Sequence, residues 1–152
     1  ELCCGIGTLD VARAELIAAS ALIKKTESDR LKAMAARVNA RVLMAEGRTA
    51  EAAFQFDEEA ALMQRSGAFY EMALAMESAG RAYERAGNDV LAADRYFKAG
   101  RSWYSGGYVE AGRNGLAAAT APAGRTRNDY ILTQVTYLTN QAVRAATTVL
   151  PP

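Results

Sequence analysis

AGRAYERAGNDVLAADRYFKA, residues 79–99, contains a pattern of small, glycine and aromatic residues that recurs 40 positions earlier in the chain. The later copy consists of Ala79, Gly80, Tyr83, Gly87, Ala92, Tyr96 and Ala99. The earlier copy has Asn39, Ala40, Leu43, Gly47, Ala52 and Phe56 at the same intervals. Recurrence at a fixed interval indicates that one structural unit is used more than once.

The spacing within each copy is that of a helical hairpin. A small residue followed three positions later by a large one lies on one helical face and lets a neighbouring helix approach. Gly47 and Gly87 suit the turn, because glycine tolerates the left-handed conformation that ends a helix. The next helix then begins with a small residue and an aromatic residue four positions on. We therefore expect repeated pairs of packed helices.

At these residues the chain resembles the tetratricopeptide repeat family, whose first helix carries Leu-Gly-x-x-Tyr and whose second carries Ala-x-x-x-Phe. The resemblance covers residues 31–107, with the best repeats at about 31–66 and 69–107. Met76 replaces the family's first-helix Trp, and the interval of 40 exceeds the usual spacing of about 34. The resemblance implies an all-α fold, a short right-handed α-α superhelix.

Hydrophobic periodicity and capping residues predict about seven antiparallel helices in a single domain, residues 1–152. Ser28 or Asp29 and Asn88 or Asp89 are the clearest N-caps. Residues 108–150 form a degenerate third hairpin and a capping helix, with a short sixth helix weakened by glycines and a loop at 122–124. The expected helices are about 8–25, 28–46, 49–64, 69–85, 88–106, 108–121 and 128–150.

Composition excludes several function classes. The net charge is +1 and charges of both signs are interspersed, so no overall field favours nucleic acid or an acidic membrane. No apolar run approaches the roughly 20 residues that span a bilayer. The 152 residues contain no histidine, which removes the commonest general base and metal ligand. We expect no catalytic residue, metal or cofactor, and a solvated face at Asp57, Glu58 and Glu59.

Cys3 and Cys4 are the two cysteines of the chain, adjacent and near its start. Adjacent cysteines are strained as a disulfide, and two thiolates make an incomplete metal site. A cysteine at this place also suggests a bacterial lipoprotein anchored in the envelope. The alternatives are thiols without a specific role and a cytoplasmic location.

Arginines on the first helix of each pair are the main candidates for partner binding. In stacked hairpins these helices line the concave face, where Arg37 and Arg41 are one turn apart, as are Arg81 and Arg85. Guanidinium forks bind carboxylates through two hydrogen bonds, so the groove suits an acidic protein or peptide partner. The alternative is that these charges only keep an exposed face soluble. The full predicted groove is Arg37, Arg41, Glu77, Arg81, Glu84, Arg85, Arg113 and Asn114.

Aromatic residues around the second hairpin form another candidate surface. Tyr83, Tyr96 and Phe56 occupy core positions of the repeat, whereas a further group lies near the turns and exceeds what a small core can bury. Core packing is the alternative. This aromatic contact patch is Phe69, Tyr70, Trp103, Tyr104 and Tyr108.

Together these features predict a non-catalytic adaptor or scaffold that binds a partner segment in its groove. Two alternatives stay open. The chain could self-associate as the subunit of a larger, envelope-associated assembly. It could also carry a small ligand or act as an enzyme, a hypothesis that a buried carboxylate in the groove would favour.

Overall fold

The computed structural model describes residues 11, 13–14, 17–18, 23 and 27–148, with side chains described through residue 141. The described part is entirely helical and contains no strand, which confirms the predicted all-α class. The first predicted helix lies largely outside the described residues. The six helices are α1 (Asp29–Ala45), α2 (Thr49–Arg65), α3 (Phe69–Arg85), α4 (Asp89–Ser105), α5 (Val109–Arg125) and α6 (Asp129–Thr148).

Each helix packs against the next one in the chain, giving a solenoid-like array. The first five helices each contain 17 residues, and the turns between helices are three residues long. Such short turns make successive helices antiparallel. A helix therefore starts every 20 residues, and the 40-residue repeat of the sequence is one hairpin.

The turns share one geometry. Gly47, Gly67, Gly87 and Gly107 have φ values of 76°, 72°, 76° and 82°, in the left-handed region. In the first turn the Gly47 amide donates to the Met44 carbonyl (3.2 Å), and the Arg48 amide donates to the Leu43 carbonyl (2.9 Å). These are the two bonds of a Schellman motif, and they satisfy carbonyls that the helix end leaves unpaired. The predicted roles of Gly47 and Gly87 are confirmed.

Side-chain caps fix several helix starts. The Ser28 hydroxyl accepts from the Leu31 amide (3.4 Å), and the Asn88 side chain accepts from the Leu91 amide (3.2 Å). Asn128 caps α6 in the same way, through the Ile131 amide (3.1 Å). The structure thus confirms the caps predicted at residues 28 and 88 and selects Ser28 over Asp29 and Asn88 over Asp89.

The loop predicted at residues 122–124 is wrong, because α5 continues to Arg125. Pro122 lies in the last turn of the helix, with its side chain buried. The Thr126 amide and hydroxyl both donate to the Pro122 carbonyl, at 3.2 and 3.0 Å. Burial of the ring offsets part of the cost of the missing amide, and the Thr126 bonds satisfy the Pro122 carbonyl at the helix end. The turn falls instead at Arg127, which takes the left-handed position with φ 52°.

The core consists of many alanines and a few large side chains. Phe56, Tyr83 and Tyr96 are buried, as their repeat positions predict. Glycines allow the closest helix contact: a Cβ on Gly115 would lie 2.9 Å from the Gly100 Cα, and one on Gly100 would lie 2.7 Å from the Leu116 amide nitrogen. Gly115 of α5 thus allows close packing against Gly100 of α4, and α5 is not shortened by its glycines.

Candidate functional site

A groove of about 360 Å³ runs between α1 and α3, with α2 beneath it. We call it the α1–α3 groove. Buried Phe56 and Glu59 of α2 form its floor, and its walls carry Arg37, Arg41, Arg81 and Arg85. The two arginine pairs that the sequence singles out therefore face one cavity. The remaining lining residues are Met44, Leu74, Ala75 and Ser78.

Glu59 is the one buried charged residue among those described, with 1% of its surface exposed. Its Oε1 accepts a hydrogen bond from Arg37 Nε at 2.6 Å. Burial raises the pKa of Glu59, and the neighbouring Arg37 and Arg41 partly oppose this by lowering it. The expectation of a solvated acidic face at residues 57–59 is thus wrong for Glu59. Because Asp57, Glu58 and Glu59 are consecutive and face different directions on the helix, the sequence could not show which of the three carboxylates points inward.

Asp57 is also engaged rather than freely solvated. It accepts two bonds from Arg95, at 2.6 and 2.9 Å, and one from the Tyr83 hydroxyl at 2.8 Å. Burial first, and then this bond to Asp57, raise the pKa of Tyr83 to about 12. These hydrogen bonds connect α2, α3 and α4 and stabilise the packing of the helices that form the groove.

Arg81 is held in place on the α3 wall. Its Nη1 donates to Glu77 Oε1 at 2.5 Å, and its Nη2 donates to the Ser78 hydroxyl at 3.2 Å. Arg37 is similarly held through its Nε, which donates to Glu59. The two terminal nitrogens of Arg37 donate to no described residue. Both guanidinium groups are therefore positioned before any ligand arrives.

Arg41 and Arg85 differ from the other two, because both are exposed and neither has a hydrogen-bond or ion-pair partner among the described residues. Arg85 is the last residue of α3. The last residues of α2 and α5 are also arginines, and each forms an ion pair with an aspartate at the start of the preceding helix: Arg65 with Asp29 and Arg125 with Asp89. The corresponding residue for Arg85 is Thr49, so its guanidinium stays available.

The other predicted groove residues lie elsewhere or have other contacts. Glu84 accepts from Tyr96 (3.1 Å) and Arg125 (2.9 Å) instead of facing Arg85. On α5, exposed Arg113 pairs with Glu110, and neither Arg113 nor exposed Asn114 lines the groove. The arginine row is therefore confined to α1 and α3.

The predicted aromatic patch divides into three parts. Tyr70, Trp103 and Tyr108 contact one another edge to face, with ring centroids 4.9 to 5.5 Å apart. Trp103 is buried, whereas Tyr70 and Tyr108 are about half exposed. Tyr104 packs against Gly112, where a Cβ would lie 2.7 Å from its ring. The indole nitrogen of Trp103 and the hydroxyl of Tyr104 are buried without a hydrogen-bond partner in the described part.

Phe69 belongs to a different surface, a shallow pocket of about 500 Å³ on the opposite face of α3. Met72 and Met76 form its apolar side, and Lys98 and Arg101 of α4 flank it. Lys98 pairs with Asp94 at 2.9 Å, and Arg101 lies over the Phe97 ring at 5.7 Å. Both cations thus already have contacts, in contrast to Arg41 and Arg85.

Two further features concern metals and membranes. In the described residues no group of three acidic, cysteine or histidine side chains is placed to hold a metal ion. No helix of this same part is long and apolar enough to cross a membrane. Cys3 and Cys4 lie outside the described residues.

Comparison with known proteins supports the helical-repeat architecture without identifying a tetratricopeptide family. Neither the curated proteins nor the solved structures yield a match to this chain. The bacterial and lipoprotein predictions find no support. A family model matches residues 3–121, which include every residue lining the α1–α3 groove. By that match the chain belongs to the family described as the Suppressor of spindle checkpoint defect 1 C-terminal domain.

Proposed function

We propose that this protein is a non-catalytic protein-binding module whose α1–α3 groove takes an acidic segment of a partner. The observation that carries the proposal is the pair Arg41 and Arg85, exposed and unpaired within the described chain, on opposite walls of one groove. Guanidinium groups without an internal partner can form two-pronged hydrogen bonds with carboxylates or phosphates of another molecule.

The description of the family suggests the cellular process in which this module acts. The family is named after a suppressor of a spindle checkpoint defect. We propose that the partner of this chain acts in the same checkpoint, and that the module joins it to other components as an adaptor or scaffold.

The tetratricopeptide plan supports the same function. Helices α1 and α3 are the first members of successive hairpins, and they line the groove together. Repeats of that plan bind extended or helical segments on the face that their first helices form. We propose that this array follows the same plan at a 40-residue interval.

A catalytic role is the competing hypothesis, because Glu59 is a buried carboxylate in the groove. Burial raises the pKa of Glu59 and its hydrogen bond to Arg37 opposes that rise, and the chain has no histidine to act with Glu59 as acid or base. We therefore assign Glu59 to holding Arg37 in place.

Site-specific crosslinking tests this function. A photoreactive amino acid replaces Leu74, which lines the groove and is partly exposed. This protein is used in extract of dividing cells, and crosslinked peptides are identified by mass spectrometry. Arg41→Glu/Arg85→Glu is compared with Lys98→Glu/Arg101→Glu, which changes the net charge equally at the Phe69 pocket, outside the groove. We expect a crosslinked acidic peptide with the wild type and with the second variant, and its loss with the first.

Equal crosslinking by both variants would contradict the proposal and leave the arginines as solubilising charges. Recovery of crosslinks only between copies of the chain would favour self-association instead. Tyr130 and Tyr137, 65% and 55% exposed on α6, are then the residues to change. Sedimentation at several concentrations distinguishes that outcome.

A further inference from the structure

We propose that the α1–α3 groove recognises a phosphorylated side chain within the partner segment, with Arg37, Arg41, Arg81 and Arg85 surrounding the phosphoryl group. This inference rests on the proposed function, since it specifies the acidic group that the groove takes. The ligand is a phosphoserine, phosphothreonine or phosphotyrosine in a protein.

The positive charge of the groove is concentrated at one place. Arginines occur at positions 37 and 41 of α1 and at 81 and 85 of α3, and all four line one cavity. In α5, the positions 40 residues beyond Glu77 and Arg81 are Ala117 and Ala121, both exposed. A long acidic segment would need cations along the whole face, whereas a compact anion with several charges needs them at one point.

The charge of the site suits a dianion. Glu59 on the floor and Glu77 beside Arg81 offset two of the four arginines, which leaves two positive charges. A phosphorylated side chain carries about −1.5 to −2 at pH 7 and has three strong acceptor oxygens. One glutamate carries a single charge on two oxygens and cannot bind both walls as fully.

The four arginines of the groove are of two kinds: two are held by hydrogen bonds within the protein and two are not. Arg37 and Arg81 are fixed by Glu59, Glu77 and Ser78, so they lose little side-chain entropy when an anion binds. Arg41 and Arg85 have no bonding partner in the described part and can move onto the ligand. Two fixed and two free guanidinium groups around one cavity form an arginine cluster of the kind that binds phosphorylated motifs.

Fluorescence anisotropy with degenerate nonapeptide libraries tests the proposal. The central residue is phosphoserine, phosphothreonine, phosphotyrosine, glutamate or the unmodified residue, and the flanking positions are mixed. We expect one phosphorylated library to bind at least about tenfold more tightly than the glutamate library, the gain from one additional charge-assisted hydrogen bond. Arg41→Ala/Arg85→Ala should abolish the difference, and Lys98→Ala/Arg101→Ala should preserve it.

Three results would overturn the proposal. Equal affinity for glutamate and phosphorylated libraries would leave an acidic-segment groove without phosphate selectivity. If no phosphorylated library binds but the partner is still crosslinked in the groove, phosphate recognition is refuted and the proposed function stands. Binding of inorganic phosphate as tightly as any phosphorylated library would indicate a site for a free anion. Circular dichroism of both alanine variants controls for folding, which we expect to be unchanged because the altered side chains lie at the surface.

Discussion

Arg37 on α1 and Glu59 on α2 form the contact on which the groove is built: Nε donates to Oε1 at 2.6 Å, the carboxylate is buried, and the Arg37 side chain is 32% exposed. The pair places a negative charge in the floor of the groove and directs the Arg37 guanidinium toward the cavity. Glu59 thereby positions Arg37 for an anion, while its own charge offsets one of the four arginines.

Removal of Arg37 should therefore destabilise the protein through the carboxylate that it leaves behind. We expect Arg37→Ala to lower the free energy of unfolding by about 2 kcal/mol at pH 7, less than for a fully buried pair because Arg37 is partly solvated. Glu59→Gln in the same background should recover most of the loss. Urea denaturation of the two single variants and the double variant measures the coupling. A loss that Glu59→Gln does not relieve would contradict this account.

The same variant should depend on pH. Burial raises the pKa of Glu59 above its ordinary value of 4.5, so folding favours protonation of Glu59 relative to the unfolded chain. The associated stability is present in full below the unfolded pKa and is lost as pH rises through the folded pKa. Without Arg37 that folded pKa is higher still. Arg37→Ala should thus lose least stability, relative to wild type, near pH 4.5 and most at pH 7, as denaturation at each pH would show.

Backbone contact between α4 and α5 predicts a sharp difference between two glycines of α5. A Cβ on Gly115 would meet Gly100 at 2.9 Å, whereas one on Gly124 would meet nothing within 4 Å. We expect Gly115→Ala to cost about 2 kcal/mol from overpacking and Gly124→Ala to add up to about 1 kcal/mol from helix propensity. Thermal and urea unfolding compare the two; similar effects would mean that the helices adjust freely.

Two tyrosines offer a matched test of hydrogen bonding. Tyr83 donates to Asp57 at 2.8 Å, whereas the buried Tyr104 hydroxyl has no partner among the described residues. Tyr83→Phe should lower the free energy of unfolding by about 1.5 kcal/mol, and Tyr104→Phe should leave it unchanged or raise it by up to about 1 kcal/mol. Urea denaturation at pH 7 gives both values. A loss in Tyr104→Phe equal to that in Tyr83→Phe would reveal a bonded Tyr104.

Alkaline pH should expose the role of the same Tyr83. Its pKa is raised from 10 to about 12, first by burial and then by Asp57. A raised pKa stabilises the fold below pH 10 and ceases to do so as pH rises through 12. Part of the alkaline loss of stability should therefore disappear in Tyr83→Phe. Some should remain, because burial and Glu84 also raise the pKa of Tyr96 to about 12. Urea denaturation of Tyr83→Phe and wild type between pH 9 and pH 12 checks this.

The turn at Arg127 predicts an easy stabilisation. Arg127 adopts φ 52°, the position that Gly67 holds in an equivalent turn. We expect Arg127→Gly to add about 0.5 kcal/mol, since relief of left-handed strain exceeds the flexibility that glycine adds to the unfolded chain. Gly67→Ala should cost about 1 kcal/mol for the opposite reason. Melting temperatures of the two variants, moving in opposite directions, would bear this out.

Local signals were sufficient to predict most of the helices. The caps at Ser28, Asn88 and Asn128 and the turn glycines act within a few residues, so the sequence pattern shows them directly. The turn after α5 was missed because its proline suggested a break and no glycine marked the left-handed position. The regular 20-residue interval of glycines 47, 67, 87 and 107 was the signal that could have placed it at 127.

The groove was only partly visible in the sequence. One-turn spacing placed Arg37 with Arg41 and Arg81 with Arg85, because helical periodicity fixes which residues share a face. The burial of Glu59 depends on how α2 rotates between α1 and α3, which no local pattern specifies.

The sequence by itself determined an all-α repeat with its turns and arginine pairs, since each of these depends on contacts within a few residues or on a regular interval. Only the tertiary structure decided which charges are paired. Arg65 and Arg125 meet aspartates on a neighbouring helix, whereas Arg85 meets none and faces the groove with Arg41. Pairing across helices depends on their packing and register, and that difference separates the structural arginines of this protein from those available to a partner.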